Sequence, residues 1–362
     1  MMRNPEQTIG NLIDKQTTHN KKHIAVQMTL CAGIIGVAGI FIYFGMGAFV
    51  WNVAEIAAIV LLLNLALRGA GSLICRKYNV KSWLKQTCAV VLVILNLLVP
   101  ICGITYAVQD GMWFYNIHDP ESRAFLQARQ SYHEVQFTAE NGKTYHGMMY
   151  RTSNESAPLV IYFGGNGEVS YRNLLGREER DEWQYFAEHH YIFIDYEGYG
   201  LNDGNPHYLN MYEQALAVFD YAAALPYVES SNIVTMGYSL GTGNAVYLAA
   251  NRPVAGLILA TPYANGYDLY NNMFPIFKGP IKFLVKQKLP SDQHAPNVTC
   301  PVLVFASRSD ESVPFSSSER LAELFGAEVE FITLENTLHN DVFGAGGVFD
   351  KVQSFLEGVK SR

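Results

Sequence analysis

From residue 132 onwards the apolar positions change period repeatedly between that of a strand and that of a helix. Tyr132 to Thr138 and Thr144 to Arg151 alternate apolar and polar residues. They read as two strands joined at the turn signal Glu140-Asn141-Gly142. Leu159 to Phe163, Tyr191 to Asp195, Asn232 to Met236, Val254 to Ala260 and Pro301 to Ala306 are instead continuous apolar runs. Such runs are expected of strands buried on both faces. Helical spacing appears in Leu209 to Ala224, Val246 to Asn251, Ser316 to Phe325 and Val348 to Val359, with a further strand at Glu328 to Leu334. Alternating strands and helices predict an α/β domain over 131–362, a mostly parallel sheet with helices on both faces. Ligands of such a sheet bind beyond the carboxyl ends of its strands.

The first third follows a different pattern. Ile24 to Val50 and Gln86 to Val108 contain no charged residue, and a membrane-spanning helix needs about 20 apolar residues. Neither has the shape of a cleaved signal peptide. Between them, Trp51 to Cys75 is apolar but for Glu55 and Arg68. Loop charge decides how to read it. Arg3, Lys15, Lys21 and Lys22 precede the first segment, and Arg76, Lys77, Lys81 and Lys85 precede the last, whereas the turn at Gly45 to Asn52 carries no basic residue. The positive-inside rule puts both basic stretches in the cytoplasm, which requires an even number of crossings between them. The expectation is a cytoplasmic tail at 1–23, spans at about 24–46, 53–74 and 86–108, and a connector at 109–130. The chain is then a multi-pass integral protein of the plasma (inner) membrane, its N-terminus cytoplasmic and its globular domain extracytoplasmic.

Composition narrows the function classes. The chain has 362 residues, 49% of them hydrophobic and only 16% charged, and its net charge of -7 comes with no basic stripe, which argues against nucleic acid as a partner. The five cysteines form neither a disulfide framework nor a CxxC metal pattern, so no metal or cofactor is expected.

Candidate chemistry centres on Gly237-Tyr238-Ser239-Leu240-Gly241, which follows a strand and precedes the small-residue run Gly241 to Ala245. A serine flanked two positions away by glycines at a strand-to-helix junction is the signature of a nucleophile elbow. A serine nucleophile needs a base, and the base needs a carboxylate to hold its tautomer. Asp310 follows the strand Pro301 to Ala306, and His339 follows the strand Glu328 to Leu334. The order serine, acid, histidine is the order used in this kind of site. Asp268, also after a strand, is the rival acid, and Glu311 stands beside Asp310. An oxyanion hole needs two preorganised N–H donors. These are assigned to Leu240, after the nucleophile, and to Asn166 in Gly164-Gly165-Asn166-Gly167, after the strand Leu159 to Phe163. Gly165, Tyr238 and Tyr263 are placed at the substrate.

These motifs, with Asp195-Tyr196-Glu197-Gly198-Tyr199-Gly200 and Val313-Pro314, resemble the α/β-hydrolase superfamily, and within it membrane-tethered ABHD-type serine hydrolases with a minimal lid. The resemblance runs from Tyr132 to the C-terminus. It implies an α/β-hydrolase fold and a Ser239-His339-Asp310 hydrolase acting on an ester, thioester or amide. Two positions depart from the pattern. Gly164 stands where such proteins usually carry histidine, and Glu197 where they usually carry arginine. The first removes a side chain that orients the oxyanion loop; the second disfavours an anionic group near the site. A short lid at 262–298 carries Tyr263, Tyr267, Tyr270, Met273, Phe274, Phe277 and Phe283 among four lysines. It reads either as ordinary packing or as an acyl-accepting rim leaning on a membrane, which would favour lipid or acylated substrates. The second functional reading is a non-catalytic binding or scaffold protein that keeps the fold.

Overall fold

The computed structural model describes residues 120–360 apart from 154, 274 and 276, with isolated positions between 81 and 114. The chain divides into two units, Met1–Val108 and Gln109–Arg362. The spans expected at 24–46 and 53–74 lie outside the described residues, as does most of the one at 86–108. Among the described residues no helix is long and apolar enough to cross a membrane.

Eight strands form one sheet: β1 (Tyr132–Thr138), β2 (Thr144–Tyr150), β3 (Ala157–Phe163), β4 (His190–Ile194), β5 (Val228–Tyr238), β6 (Gly256–Ala260), β7 (Val302–Ser307) and β8 (Val329–Leu334). Their spatial order is β1-β2-β4-β3-β5-β6-β7-β8. The hairpin β1-β2 and the pair β2-β4 are antiparallel; every other pair is parallel. Every residue of β3, β4, β6 and β7 is buried, which explains their unbroken apolar runs, whereas the edge strands β1 and β8 alternate or lie half open.

The described helices are α1 (Pro120–Gln127), α2 (Ser170–Glu179), α3 (Tyr208–Ala223), α4 (Gly241–Asn251), α5 (Gly266–Met273), α6 (Ser291–His294), α7 (Phe315–Ala322) and α8 (Val348–Lys360). From β3 the chain moves one way to β4, then crosses back to β5 and continues to β8. Because parallel crossovers are right-handed, this reversal sends α2 to one face and α3 and α4 to the other. Helix α8 returns to the α2 side, where it packs on the 3-10 turn Glu182–Phe186 and buries Val348, Phe349, Val352, Leu356 and Val359. Each such side chain contributes roughly 1.5–3 kcal/mol by leaving water.

The reversal has a functional consequence. At the switch point between β3 and β5 the following loops diverge and leave a crevice at the carboxyl edge. The glycine-rich loop follows β3 and the serine follows β5, so the topology alone brings these two motifs together.

Four helices fall where the sequence pattern assigned none, α5 and α6 within the expected lid and α1 and α2 before it. Helix α1 lies in the stretch expected to be a connector, and α2 lies in an interval to which the pattern assigns no element. The buried stripe of α2 is Ser170, Tyr171, Leu174 and Arg177. An apolar period does not reveal a stripe that contains serine and arginine.

Candidate active site

The elbow is built by exclusion. Ser239 has a φ of 49°, the left-handed region that costs a non-glycine residue on the order of 1–3 kcal/mol. Its N–H donates to Ala260 O at 2.9 Å, and its carbonyl accepts from Thr242 N and Oγ1 at 3.0 and 2.7 Å. Both flanking glycines are sterically required. A Cβ at Gly237 would sit 2.7 Å from Gly241 O, and one at Gly241 would sit 2.1 Å from Phe163 O. Helix α4 therefore starts hard against β3 and presents the Leu240 N–H at its N-terminal end, where donors have no intrahelical partner.

Ser239, Asp310 and His339 come together. His339 Nε2 lies 2.8 Å from Ser239 Oγ, and His339 Nδ1 lies 2.8 and 3.0 Å from the two oxygens of Asp310. An ionised carboxylate only accepts, so Nδ1 carries the proton and Nε2 is left to accept from the serine hydroxyl. The Asp310 side chain is 2% exposed and that of His339 7%, so the pair is shielded from competing water. Asp310 Oδ1 also accepts the N–H groups of Ser312 and Val313 at 2.8 and 2.7 Å, which fixes the carboxylate in its loop.

The neighbouring carboxylates separate cleanly. Glu311 accepts the backbone N–H of His339 at 3.1 Å and so orients the histidine's loop, while Asp310 holds its ring. Asp268 accepts from Ser317 Oγ at 2.5 Å and pairs with Arg320, well away from any bond to His339. Tyr238 donates to His339 O at 3.2 Å and lies stacked near the imidazole, with ring centroids 5.5 Å apart.

The loop after β3 meets the elbow. A Cβ at Gly165 would stand 2.8 Å from the Tyr238 ring and 3.5 Å from Ser239 Cβ, so only glycine lets this backbone reach the nucleophile. Two tyrosines of the stretch after β4 hold the loop from its other side: Tyr196 donates to Gly164 O at 2.8 Å and Tyr199 to Asn166 Oδ1 at 2.7 Å. A third anchor is Glu168, which sequence reasoning missed. It accepts from Gly165 N at 2.7 Å, from Tyr162 Oη at 2.9 Å and from Asn173 Nδ2 at 3.2 Å. A single acidic residue at the end of a glycine-rich turn carries no motif, so nothing in the sequence marked it.

Two expectations are corrected, for Tyr263 and Glu197, and the open reading of the lid is narrowed. Tyr263, placed at the substrate, is fully buried and donates to Leu240 O at 2.9 Å; it braces the elbow from inside the core. Tyr270 and Phe277 of the short lid are likewise buried, so they pack the lid and do not form its rim. Glu197 does not put an uncompensated charge at the site. Its carboxylate accepts from Lys143 Nζ at 2.7 Å and Asn210 Nδ2 at 2.9 Å. It lines, with Lys143, His146, Leu201 and Asp203, a surface groove of about 410 Å³ that none of the triad residues borders. The catalytic geometry and this groove are separate features.

Asp195, at the end of β4, is fully buried. Its Oδ1 accepts Ser170 N at 2.6 Å, whereas its Oδ2 has no partner at regular hydrogen-bond geometry. Gly200 passes directly over that oxygen at a φ of 53°, where a Cβ would be 2.0 Å away. Burial pushes the Asp195 carboxyl from 3.8 up to about 7, against opposing hydrogen bonds from Ser170 and the Leu201 backbone. The native state then binds a proton between about pH 4 and 7 that the unfolded state has released, so this group makes stability fall as pH rises through that window. Buried His189, lowered to about 4 by desolvation, acts in the opposite direction. The measurable quantity is therefore a difference. Asp195→Asn should remove a falling slope of up to about 1.4 kcal/mol per pH unit, read from denaturant unfolding of variant and wild type between pH 4.5 and 7.5. Parallel profiles would show that the carboxyl does not titrate there.

Among the described residues no group of three or more His, Cys, Asp or Glu side chains is placed to hold a metal ion.

Comparison with known proteins finds hydrolase relatives of this chain. Residues 206–340, a span containing Ser239, Asp310 and His339, match the dienelactone hydrolase family. An uncharacterized protein of Mycobacterium tuberculosis (strain ATCC 25618 / H37Rv) is 31% identical over 212 residues, 57% of this chain and 72% of the relative. Human alpha/beta hydrolase domain-containing protein 17B is 30% identical over 162 residues, 45% of this chain and 54% of that protein. Among solved structures, an esterase of Pyrococcus furiosus superposes with a TM-score of 0.54 at 14% identity, covering 67% of this chain and 98% of that one. An acetyl xylan esterase from Paenibacillus sp. R4 gives 0.53 at 15% identity, covering 69% and 93%. At such identities these structures speak to the fold alone.

Proposed function

The chain belongs to the α/β-hydrolase superfamily, and from that membership we propose that it is a membrane-anchored serine hydrolase cleaving an acyl ester, thioester or amide. The observation that carries the proposal is the pair of contacts at His339, with Ser239 Oγ at 2.8 Å on one nitrogen and Asp310 at 2.8 Å on the other. Ser239 Oγ attacks the acyl carbon as His339 Nε2 takes its proton. Asp310 holds the tautomer and stabilises the imidazolium. The negative charge that develops on the carbonyl oxygen is met by the N–H groups of Leu240 and Asn166. His339 then protonates the leaving group, and water repeats the sequence on the acyl-enzyme. The substrate is a small molecule, a lipid or an acylated chain. Turnover of p-nitrophenyl acetate by the detergent-purified chain is the expected result; a well-folded protein inert towards every short-chain aryl ester would return the reading to a non-catalytic binding or scaffold role.

Membrane anchoring is supported by the charge-free runs and the loop charges of the first third. Within the third run, the described positions Val90, Val91 and Ile94 are helical and expose large apolar side chains, as a lipid-facing or partner-facing surface would. We read three spans with the hydrolase domain outside the cytoplasm. A reporter fused after Val108 should be active only as an extracytoplasmic enzyme; a cytoplasmic signal would overturn the orientation.

A further inference from the structure

Histidine is expected at the position of Gly164, where it would orient the oxyanion loop, and the structure shows why none fits. A Cβ at Gly164 would lie 2.4 Å from Phe193 Cζ and 2.9 Å from Glu168 Oε2. The space for a side chain is already taken, and one of its occupants is the carboxylate that holds the loop.

Glu168 grips the loop twice. Its backbone N–H donates to Gly165 O at 3.2 Å, and its side chain accepts Gly165 N at 2.7 Å. The first contact sets the plane of the Gly165–Asn166 peptide. In a planar trans peptide the N–H points opposite to the C=O. With Gly165 O turned towards Glu168 N, the Asn166 N–H is turned away from Glu168. The second contact fixes the preceding peptide, so the pair cannot flip together. If the 165–166 peptide flipped, a carbonyl would replace a donor beside the nucleophile.

The carboxylate is itself immobilised from below. Tyr162 donates to Oε2 and Asn173 to Oε1. Asn173 Oδ1 accepts from Arg177 Nε at 3.3 Å, and Arg177 also donates to Tyr191 Oη at 3.0 Å and Glu182 at 2.9 Å. Arg177 is 1% exposed and is surrounded by the rings of Tyr162, Phe186, Tyr191, Phe343 and Phe349. Arg177, itself paired with buried Glu182, therefore fixes Asn173 and through it the Glu168 carboxylate. Phe343 also touches Tyr238, so the same cluster backs the segment that begins at His339.

We propose that Glu168, seated on Asn173 and Arg177, is the positioning residue of the oxyanion loop, holding the Gly165–Asn166 peptide with the Asn166 N–H towards the reacting carbonyl. The inference rests on the serine-hydrolase reading. Glu168→Ala should lower kcat for p-nitrophenyl acetate about a hundredfold, the effect of losing one oxyanion donor, with KM within about twofold. Fluorophosphonate labelling should slow in parallel, because the phosphoryl oxygen enters the same hole. Glu168→Gln, whose amide oxygen still accepts the Gly165 N–H while its NH2 faces Asn173 Nδ2, should recover part of the rate. Wild-type kcat in Glu168→Ala, or a loss confined to melting temperature, would overturn the proposal; so would Glu168→Gln as slow as Glu168→Ala. If Glu168→Ala does not fold, Tyr162→Phe decides. It releases one hydrogen bond to the carboxylate, and a kcat equal to wild type would count against the idea, whereas a severalfold fall at constant KM would support it. A wild-type protein with neither turnover nor labelling would instead sink the hydrolase reading, which is a separate outcome.

Discussion

Ser239→Ala should lower kcat by about five to six orders of magnitude while the domain stays folded. The size follows from how completely the site is organised around one oxygen. The Ser239 backbone is held at a φ of 49° by its bond to Ala260 O and by Thr242, and alanine can occupy that conformation at the same cost. Removing Oγ therefore leaves the elbow, the helix start and the Leu240 N–H in place, but takes away the hydroxyl that His339 Nε2 contacts at 2.8 Å. What remains is substrate binding and oxyanion stabilisation of an attack by water, worth roughly 10³–10⁴ over the uncatalysed reaction. Kinetics with an aryl ester, together with circular dichroism and a melting curve, check it. A residual rate within tenfold of wild type would mean that another group carries the chemistry.

Asp310→Asn should cost about 10⁴ in kcat with little change in structure. The loop dictates this outcome. Asp310 Oδ1 is committed to the N–H groups of Ser312 and Val313, so the oxygen of an asparagine there must remain at that position. Its amide nitrogen then takes the place of Oδ2, which lies 2.8 Å from His339 Nδ1. An NH₂ group facing Nδ1 donates and does not accept, so the imidazole proton moves to Nε2 and can no longer receive the proton of Ser239. Glu311→Gln should be far milder, because a carboxamide oxygen still accepts the His339 N–H. Steady-state kinetics of the two variants side by side make the contrast. Comparable losses would mean that the neighbouring carboxylates share the role.

The sheet was legible because its central strands are buried on both faces and write themselves as unbroken apolar runs, as in β3, β4, β6 and β7. The elbow was legible for a different reason. A Cβ at Gly237 or Gly241 would meet backbone atoms at 2.7 or 2.1 Å, so sterics demand the glycines that mark the motif. Asp310 and His339 could be placed because loops after parallel strands converge on one edge. Helix α2 could not, since the side chains it buries include Arg177, whose partners Glu182, Asn173 and Tyr191 are known only once the fold is. Glu168 escaped for the same reason. Tyr263 was misplaced because a tyrosine after a strand at the catalytic edge can point into the cleft or back to the core, and only the carbonyl of Leu240 decides which.

The central claim is that Ser239 is a nucleophile activated by His339. It is tested most directly by treating the purified chain with a fluorophosphonate probe and mapping the adduct by peptide mass spectrometry. The expected result is a single adduct on Ser239, absent from Ser239→Ala and strongly slowed in His339→Ala. An adduct on a different serine, or equal labelling of wild type and Ser239→Ala, would contradict it.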